Sequence, residues 1–421
     1  MTIATRKPRR GEIFTAKKIA VIGAGAAGFF GAIRIKSLLP DANVVVFEKS
    51  NKMLAKVKVS GGGRCNVTNS CVEVSSLIKN YPRGAKEMRS PFMQFSCVDT
   101  VKWFKERGVD LKAEADGRMF PVTNNSQTII DCLMDEAEKF GVEFSLGSTI
   151  KKINSIDKKI ELVFDNDSTS VFDAVLVATG GHPNKEGFRW LTSTNHTIVE
   201  PVPSLFTFNF KDKTISALMG VSVSNAQVKI VGTKYEYSGP LLITHWGISG
   251  PAVLKLSSFA ARSLAEMKYE FVTSVNWLNK KEEEVRQLIL QVKSHFPKRT
   301  LFRLNELELP KRLWEYILFK LKIDGEQIIG NISKDSLNRI VNTIVNDQYE
   351  VKGKTTFKEE FVTCGGIALN EIDFKTMESK LVPNLFFAGE VLDIDAITGG
   401  FNFQAAWTTG FIAGSEIGKR F

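Results

Sequence analysis

The chain has 421 residues, 43% hydrophobic and 24% charged, with a formal net charge of +10. That length exceeds what one hydrophobic core usually supports, so two or more domains are expected. No apolar run approaches the roughly 18 residues of a membrane span, and five cysteines with no C-x-x-C pair indicate neither a disulfide framework nor a zinc site.

The first sixteen residues are basic and precede any apolar segment, so they read as a solvated tail rather than a secretory signal. From Lys17 the text runs strand, glycine turn, helix, strand: KKIAVIG, GAGAAG, a helix to about Leu39, then Asn43 to Glu48. This is a βαβ unit opening a parallel sheet. Gly23 permits the tight turn, Gly25 lets backbone approach a pyrophosphate, and Gly28 lets the helix pack on the sheet. Ala26 and Ala27 open the helix, whose free amides and dipole suit phosphate. Glu48, with Lys49 beside it, closes the second strand twenty residues after Gly28, where a carboxylate accepts ribose hydroxyls. An acid there disfavours a phosphorylated ribose, leaving FAD or NAD.

Next comes SGGGRCNVTN: Ser60, Gly61, Gly62, Gly63, Arg64, Cys65 and Asn66 lead it. Three consecutive glycines suit backbone lying against a flat or charged ligand, and Arg64 and Asn66 add directional polar groups. Ser126 to Phe140 has helical apolar spacing at Ile129, Ile130, Leu133 and Met134. Strands near Phe144 and Leu162 lead to FDAVLVATGG, a buried strand ending at Thr179, Gly180 and Gly181.

Near Pro201 the character changes. LFTFNF alternates as a half-buried strand, and its stripe of Phe206, Phe208 and Phe210 reads as core. Val221, Val223, Val228 and Ile230 continue strand-like text, and SGP at Ser249 to Pro251 reads as a helix start. A helical tract from about Asn279 to Asp347 follows, with starts at Asn279 and Ser333. After Phe361 the text is sheet-like and glycine-punctuated, with a helix beginning near Phe401. The expected architecture is α/β: a Rossmann-like FAD-binding domain over 17–199 and 351–421, interrupted by an inserted domain over 200–350, β-rich and then helical.

The combined motifs resemble the BaiN/RdsA-like family of FAD-dependent oxidoreductases. They are GAGAAG with its glutamate, K-x-x-x-SGGGRCNVTN, DGRMFPVTNNS, LVATGGHP, THWGISGPAVLKLS, TCGGI and FAGEVLDIDAITGGFNFQAAWTTG, and they span most of the chain. Ala396 stands where that pattern usually has glycine, which bears on one local turn. The resemblance implies noncovalent FAD held by the residues above together with Ile150, Gly389, Glu390, Asp393, Gly400, Phe401, Asn402 and Phe403. Glu390 or Asp393 would take the ribityl chain, and the amides of the helix opening at Phe401 would meet the pyrimidine edge of the flavin. Cys65 is expected to pack against FAD.

Members of the family are described as enone reductases of bile-acid type and as aminoacetone oxidases. Three functions therefore stay open: an NAD(P)H-linked reductase of an activated double bond, an amine oxidase, and an FAD-dependent nucleic-acid-modifying protein. NAD(P)H would be a transient electron donor, since no second nucleotide fingerprint is present. His245 is the candidate for proton handling, because imidazole titrates near neutrality. The basic residues are scattered, so a small-molecule substrate is expected, with no nucleic acid, no membrane span and a cytoplasmic home.

Overall fold

The computed structural model describes residues 16–355 and 362–421, so the basic tail lies, save Ala16, outside the described residues. Strand β1 (Lys18–Ile22), helix α1 (Ala26–Leu38) and strand β2 (Asn43–Glu48) form the opening βαβ unit. A short kinked helix, α2 (Ala55–Gly63), follows, then α3 (Gln127–Lys139), β3 (Glu143–Leu146) and β4 (Ala174–Val177). The pattern expected for α3 is met with Ile129 and Leu133 buried and Ile130 and Met134 half-buried.

Strand β5 (Ile198–Pro203) leads into a closed six-stranded barrel. Its strands are β6 (Thr207–Phe210), β7 (Ser222–Ile230), β8 (Glu236–Ile243), β9 (Gly247–Ser249), β10 (Glu270–Asn276) and β11 (Asp347–Thr355). Helices α4 (Pro251–Phe259) and α5 (Ala261–Glu266) lie between β9 and β10, and α4 does begin at the proline. Helices α6 (Glu282–His295), α7 (Lys311–Lys320) and α8 (Lys334–Val345) lie between β10 and β11. The helical tract is thus inserted before the last barrel strand, which returns the chain antiparallel to β6. Ser333 caps α8 by accepting from Ser336 N at 3.0 Å. Asn279 does not start a helix: it is left-handed at φ 51°, and α6 begins at Glu282.

The chain then re-enters the first domain through β12 (Thr363–Ile367), β13 (Ile372–Asp373), β14 (Glu378–Ser379), β15 (Leu385–Phe387) and the twenty-residue α9 (Phe401–Arg420). The main sheet has the order β13-β14-β15-β4-β1-β2-β3. Its central pairs, β15 on β4, β4 on β1 and β1 on β2, are parallel. Because β1 and β4 are buried on both faces, they read as unbroken apolar runs. Helix α9 packs along α1, where Gly410 and Gly414 let the two backbones approach.

Two apolar cores result, one for the terminal α/β domain and one for the barrel with its helices. Phe206, Phe208 and Phe210 all belong to the second core. A buried ion pair of the terminal domain meets the insertion through Ser204 and Ser258. Arg83 grips both carboxylate oxygens of the fully buried Asp395, while Ser204 donates to the same carboxylate and Arg83 also donates to Ser258 O at 2.6 Å.

Candidate active site

A cavity of about 370 Å³ opens at the carboxyl ends of β1, β4 and β15 and runs to Leu205 and Val362, where the chain enters and leaves the insertion. Open parallel sheets place ligands at these strand ends, because helix N-termini and loops converge there.

At one end lies the cradle. Gly23 has φ 107°, and a Cβ there would sit 2.5 Å from Ala178 O, so only glycine fits the turn. A Cβ on Gly25 would instead meet nothing within 4 Å, because that position faces the cavity. Helix α1 starts at Gly25 with no side-chain cap, so its first amides are available to an anion. Glu48 is anchored through both oxygens, accepting from Ala24 N at 3.0 Å and Ser50 N at 2.9 Å. The carboxylate keeps its remaining lone pairs toward the cavity that it lines.

At the other end lies the start of α9. Gly400, at φ 88°, packs against the Thr68 carbonyl, and Asn402 and Phe403 line the cavity with Thr398 and Gly399. This helix also has no side-chain cap. Asn402 clasps the preceding turn, accepting from Ala396 N at 2.9 Å and donating to Ala396 O at 3.0 Å. Ala396 is not among the residues with positive φ, so alanine serves where the family usually has glycine. Between the two ends, Glu390 accepts from Thr363 N at 2.7 Å and pairs with Lys56 at 2.8 Å. The buried hydroxyl of Thr363 has no hydrogen-bond partner among the described residues.

Of the expected cofactor residues, Gly23, Gly25, Ala26, Ala27, Glu48, Ser60, Gly61, Asn66, Thr179, Gly180, Gly389, Glu390, Gly400, Asn402 and Phe403 line this cavity. Gly28 does not; it lies against Gly23 and Val21, where the helix meets its strand. Lys49, Gly62, Gly63, Cys65, Ile150, Gly181 and Phe401 lie outside the lining. Arg64 turns away to Glu114, at 2.7 Å, and stacks on Phe120. The glycine run makes a left-handed turn within the kinked α2, and only Ser60 and Gly61 of the run's start reach the cavity. Burial pushes the Cys65 thiol up to about 12, so it stays protonated at neutral pH. Asp393 pairs with Arg262 at 3.2 Å instead of lining the site.

His245 is not brought to the cavity. It is exposed in the turn between β8 and β9, its ring against Trp246 at 4.1 Å. Gly247 pairs with Asn209, four residues along β6 from the cavity-lining Leu205, so His245 sits toward the far end of that strand.

The sequence reading missed Lys52, Leu54, Lys56 and Val57 on and before α2, and Leu205 and Val362 where the chain enters and leaves the insertion. Lys56 is the lysine of the K-x-x-x-SGGG motif, so its signal was present. Leu205 and Val362 carry no local signal, because their place depends on how the two domains meet.

Two uncapped helix N-termini, the cavity-lining carboxylate of Glu48 and a glycine whose side-chain position is the cavity itself fit an FAD molecule laid from cradle to α9. The fold and site define an FAD-dependent oxidoreductase. The HI0933-like protein Rossmann domain family matches residues 17–416, and the chain belongs to that family. It is 30% identical over 411 residues to the ribosomal RNA dihydrouridine synthase of Haemophilus influenzae, covering 95% of this chain and 98% of the relative. It is 26% identical over 414 residues to the 3-dehydro-bile acid delta(4,6)-reductase of Clostridium scindens, covering 96% and 99%. Among solved structures, the 3-ketosteroid-delta4-(5alpha)-dehydrogenase of Rhodococcus jostii shares the fold, with a TM-score of 0.51, 12% identity, and coverage of 98% of this chain and 100% of that one. No helix among the described residues is long and apolar enough to cross a membrane.

Proposed function

We propose that this protein reduces a carbon–carbon double bond conjugated to a carbonyl, with NAD(P)H as transient donor, and that its substrate is a uracil ring within ribosomal RNA. Two full-length relatives with different substrates support the chemistry. Forming dihydrouridine and reducing a bile-acid dienone both add a hydride and a proton across a bond polarised by a carbonyl. FAD, when bound, supplies hydride chemistry at N5.

The observation that carries the choice of RNA is where the charge lies. The terminal domain, residues 17–203 and 356–421, holds 30 Lys and Arg against 30 Asp and Glu. Residues 204–355 hold 22 against 15. The excess therefore belongs to the insertion and the N-terminal tail, as a polyanion-binding appendage on a neutral catalytic domain would have it. This departs from the expectation of a generic basic surface, which rested on the chain as a whole.

The chain's own groups have limited tasks in this chemistry. The uncapped amides at Asn402 and Phe403 would stabilise negative charge on a bound flavin. Leu205 and Val362 add apolar side chains to the cavity lining. Lys56 and Glu390 tie α2 to the segment after β15 across the cavity.

The test is anaerobic mixing of the FAD-loaded protein with NADH or NADPH, followed by a single-stranded uridine-containing RNA or a small enone. Expected is flavin bleaching by the nucleotide and reoxidation by RNA with formation of dihydrouridine. Bleaching by amines, with reoxidation by oxygen alone, would overturn the reading in favour of an amine oxidase.

A further inference from the structure

On the helices after β9 the insertion carries a strip in which cationic and aromatic side chains lie together. Lys255, Phe259 and Arg262 fall at i, i+4 and i+7 along α4 and α5, on one face of nearly continuous helix. Beneath them, Tyr237 of β8 stacks with Phe259, with ring centroids 6.3 Å apart and planes at 18°. Lys255 Nζ stands 5.3 Å over the same tyrosine ring. Phe259 keeps 37% of its surface exposed, whereas Val253, Leu256, Ser257 and Ser258 of α4 are buried. Glu236, the neighbour of Tyr237, points to the other face of the strand by β-alternation.

The buried side of α4 connects this strip to the cavity. Ser258 accepts from Ser204 at 3.0 Å, and Ser257 accepts from Phe206 N at 3.0 Å. Ser204 and Phe206 flank Leu205, which lines the cavity. Arg262 in turn reaches Asp393, three residues beyond the cavity-lining Glu390. A ligand on the strip would therefore lie on the outer side of the helix that braces the cavity mouth.

We propose that Lys255, Phe259 and Arg262, over Tyr237, form the docking platform for a single-stranded RNA segment flanking the reduced base. The proposal rests on the RNA reading above. Stacked aromatics offer a face to any base, and flanking cations follow the phosphates, which is how single strands are held without duplex geometry. From Lys255 to Arg262 the helix advances about 10 Å at 1.5 Å per residue. That is room for roughly three stacked nucleotides at 3.4 Å each.

The experiment uses the FAD-loaded protein and a fluorescent single-stranded oligouridine RNA, with anisotropy read across salt concentrations. Flavin occupancy and spectrum report folding in each variant. Phe259→Ala should weaken binding about 5- to 150-fold, the effect of one stacked base, and Phe259→Trp should restore it. Lys255→Gln should reduce the slope of log affinity against log salt by about 0.7. If wild type reduces uridine in RNA while all three variants bind as wild type does, the platform is overturned and the RNA reading stands. If wild type reduces a small enone but neither binds nor reduces RNA, both fall.

Discussion

The terminal α/β domain and the barrel insertion announce their tasks in different ways. The first spells out its ligand in glycines, and the second has no such motif. The reason is that what the first domain offers a cofactor is mainly backbone. Gly23 bends the chain, Gly25 leaves room, and α1 and α9 offer uncapped amides. Backbone demands show as glycine at fixed spacing. The insertion meets its partner, on our reading, with side chains spread over a surface. Lys255, Phe259, Tyr237 and Arg262 come from a strand and two helices, and of these only Lys255 falls within a motif, THWGISGPAVLKLS.

The comparison is sharpest at Gly25. Gly25→Val should leave the fold intact, since nothing lies within 4 Å of the new Cβ. It should nevertheless lower flavin affinity by roughly 100-fold or more, because the side chain takes the pyrophosphate's place. Flavin retention and melting temperature, measured on one preparation, separate the two effects. A variant that stays yellow would break the assignment of the cradle.

The junction between the regions should yield the next largest effect. Arg83→Met strands the Asp395 carboxylate, fully buried beside Ser204, and should cost about 3–5 kcal/mol in denaturant unfolding. An unchanged midpoint would mean that the buried pair and its bonds to Ser204 and Ser258 do not stabilise the junction. Glu48→Ala should weaken FAD by about 1–3 kcal/mol, through loss of charge-assisted bonds to ribose. Titration of the stripped protein with FAD checks it, and full affinity would move the ribose elsewhere.

The smallest effect should come from His245→Ala. The exposed ring lies away from the cavity, so flavin occupancy and turnover should stay within about twofold of wild type. A loss of roughly 10²–10⁴-fold, the mark of a general acid or base, would bring the histidine back into the chemistry.

The sequence by itself determined the βαβ unit with its glycine turn, the N-terminal helix position at Phe401 and the core role of the phenylalanine stripe. Each depends on residues close in the chain, whose periodicity or spacing is a local physical requirement. It misplaced His245 and the far end of the glycine run. Which way a turn faces depends on the register of strands such as β6 and β9, and on the left-handed turn that sends Arg64 toward Glu114. Only the tertiary structure decided that Leu205 and Val362 share one cavity mouth, that the last barrel strand follows the helices, and that Arg83 meets Asp395 across 312 residues. Such contacts follow from the closing of two cores against each other, and no local pattern encodes the partner of a residue so far away.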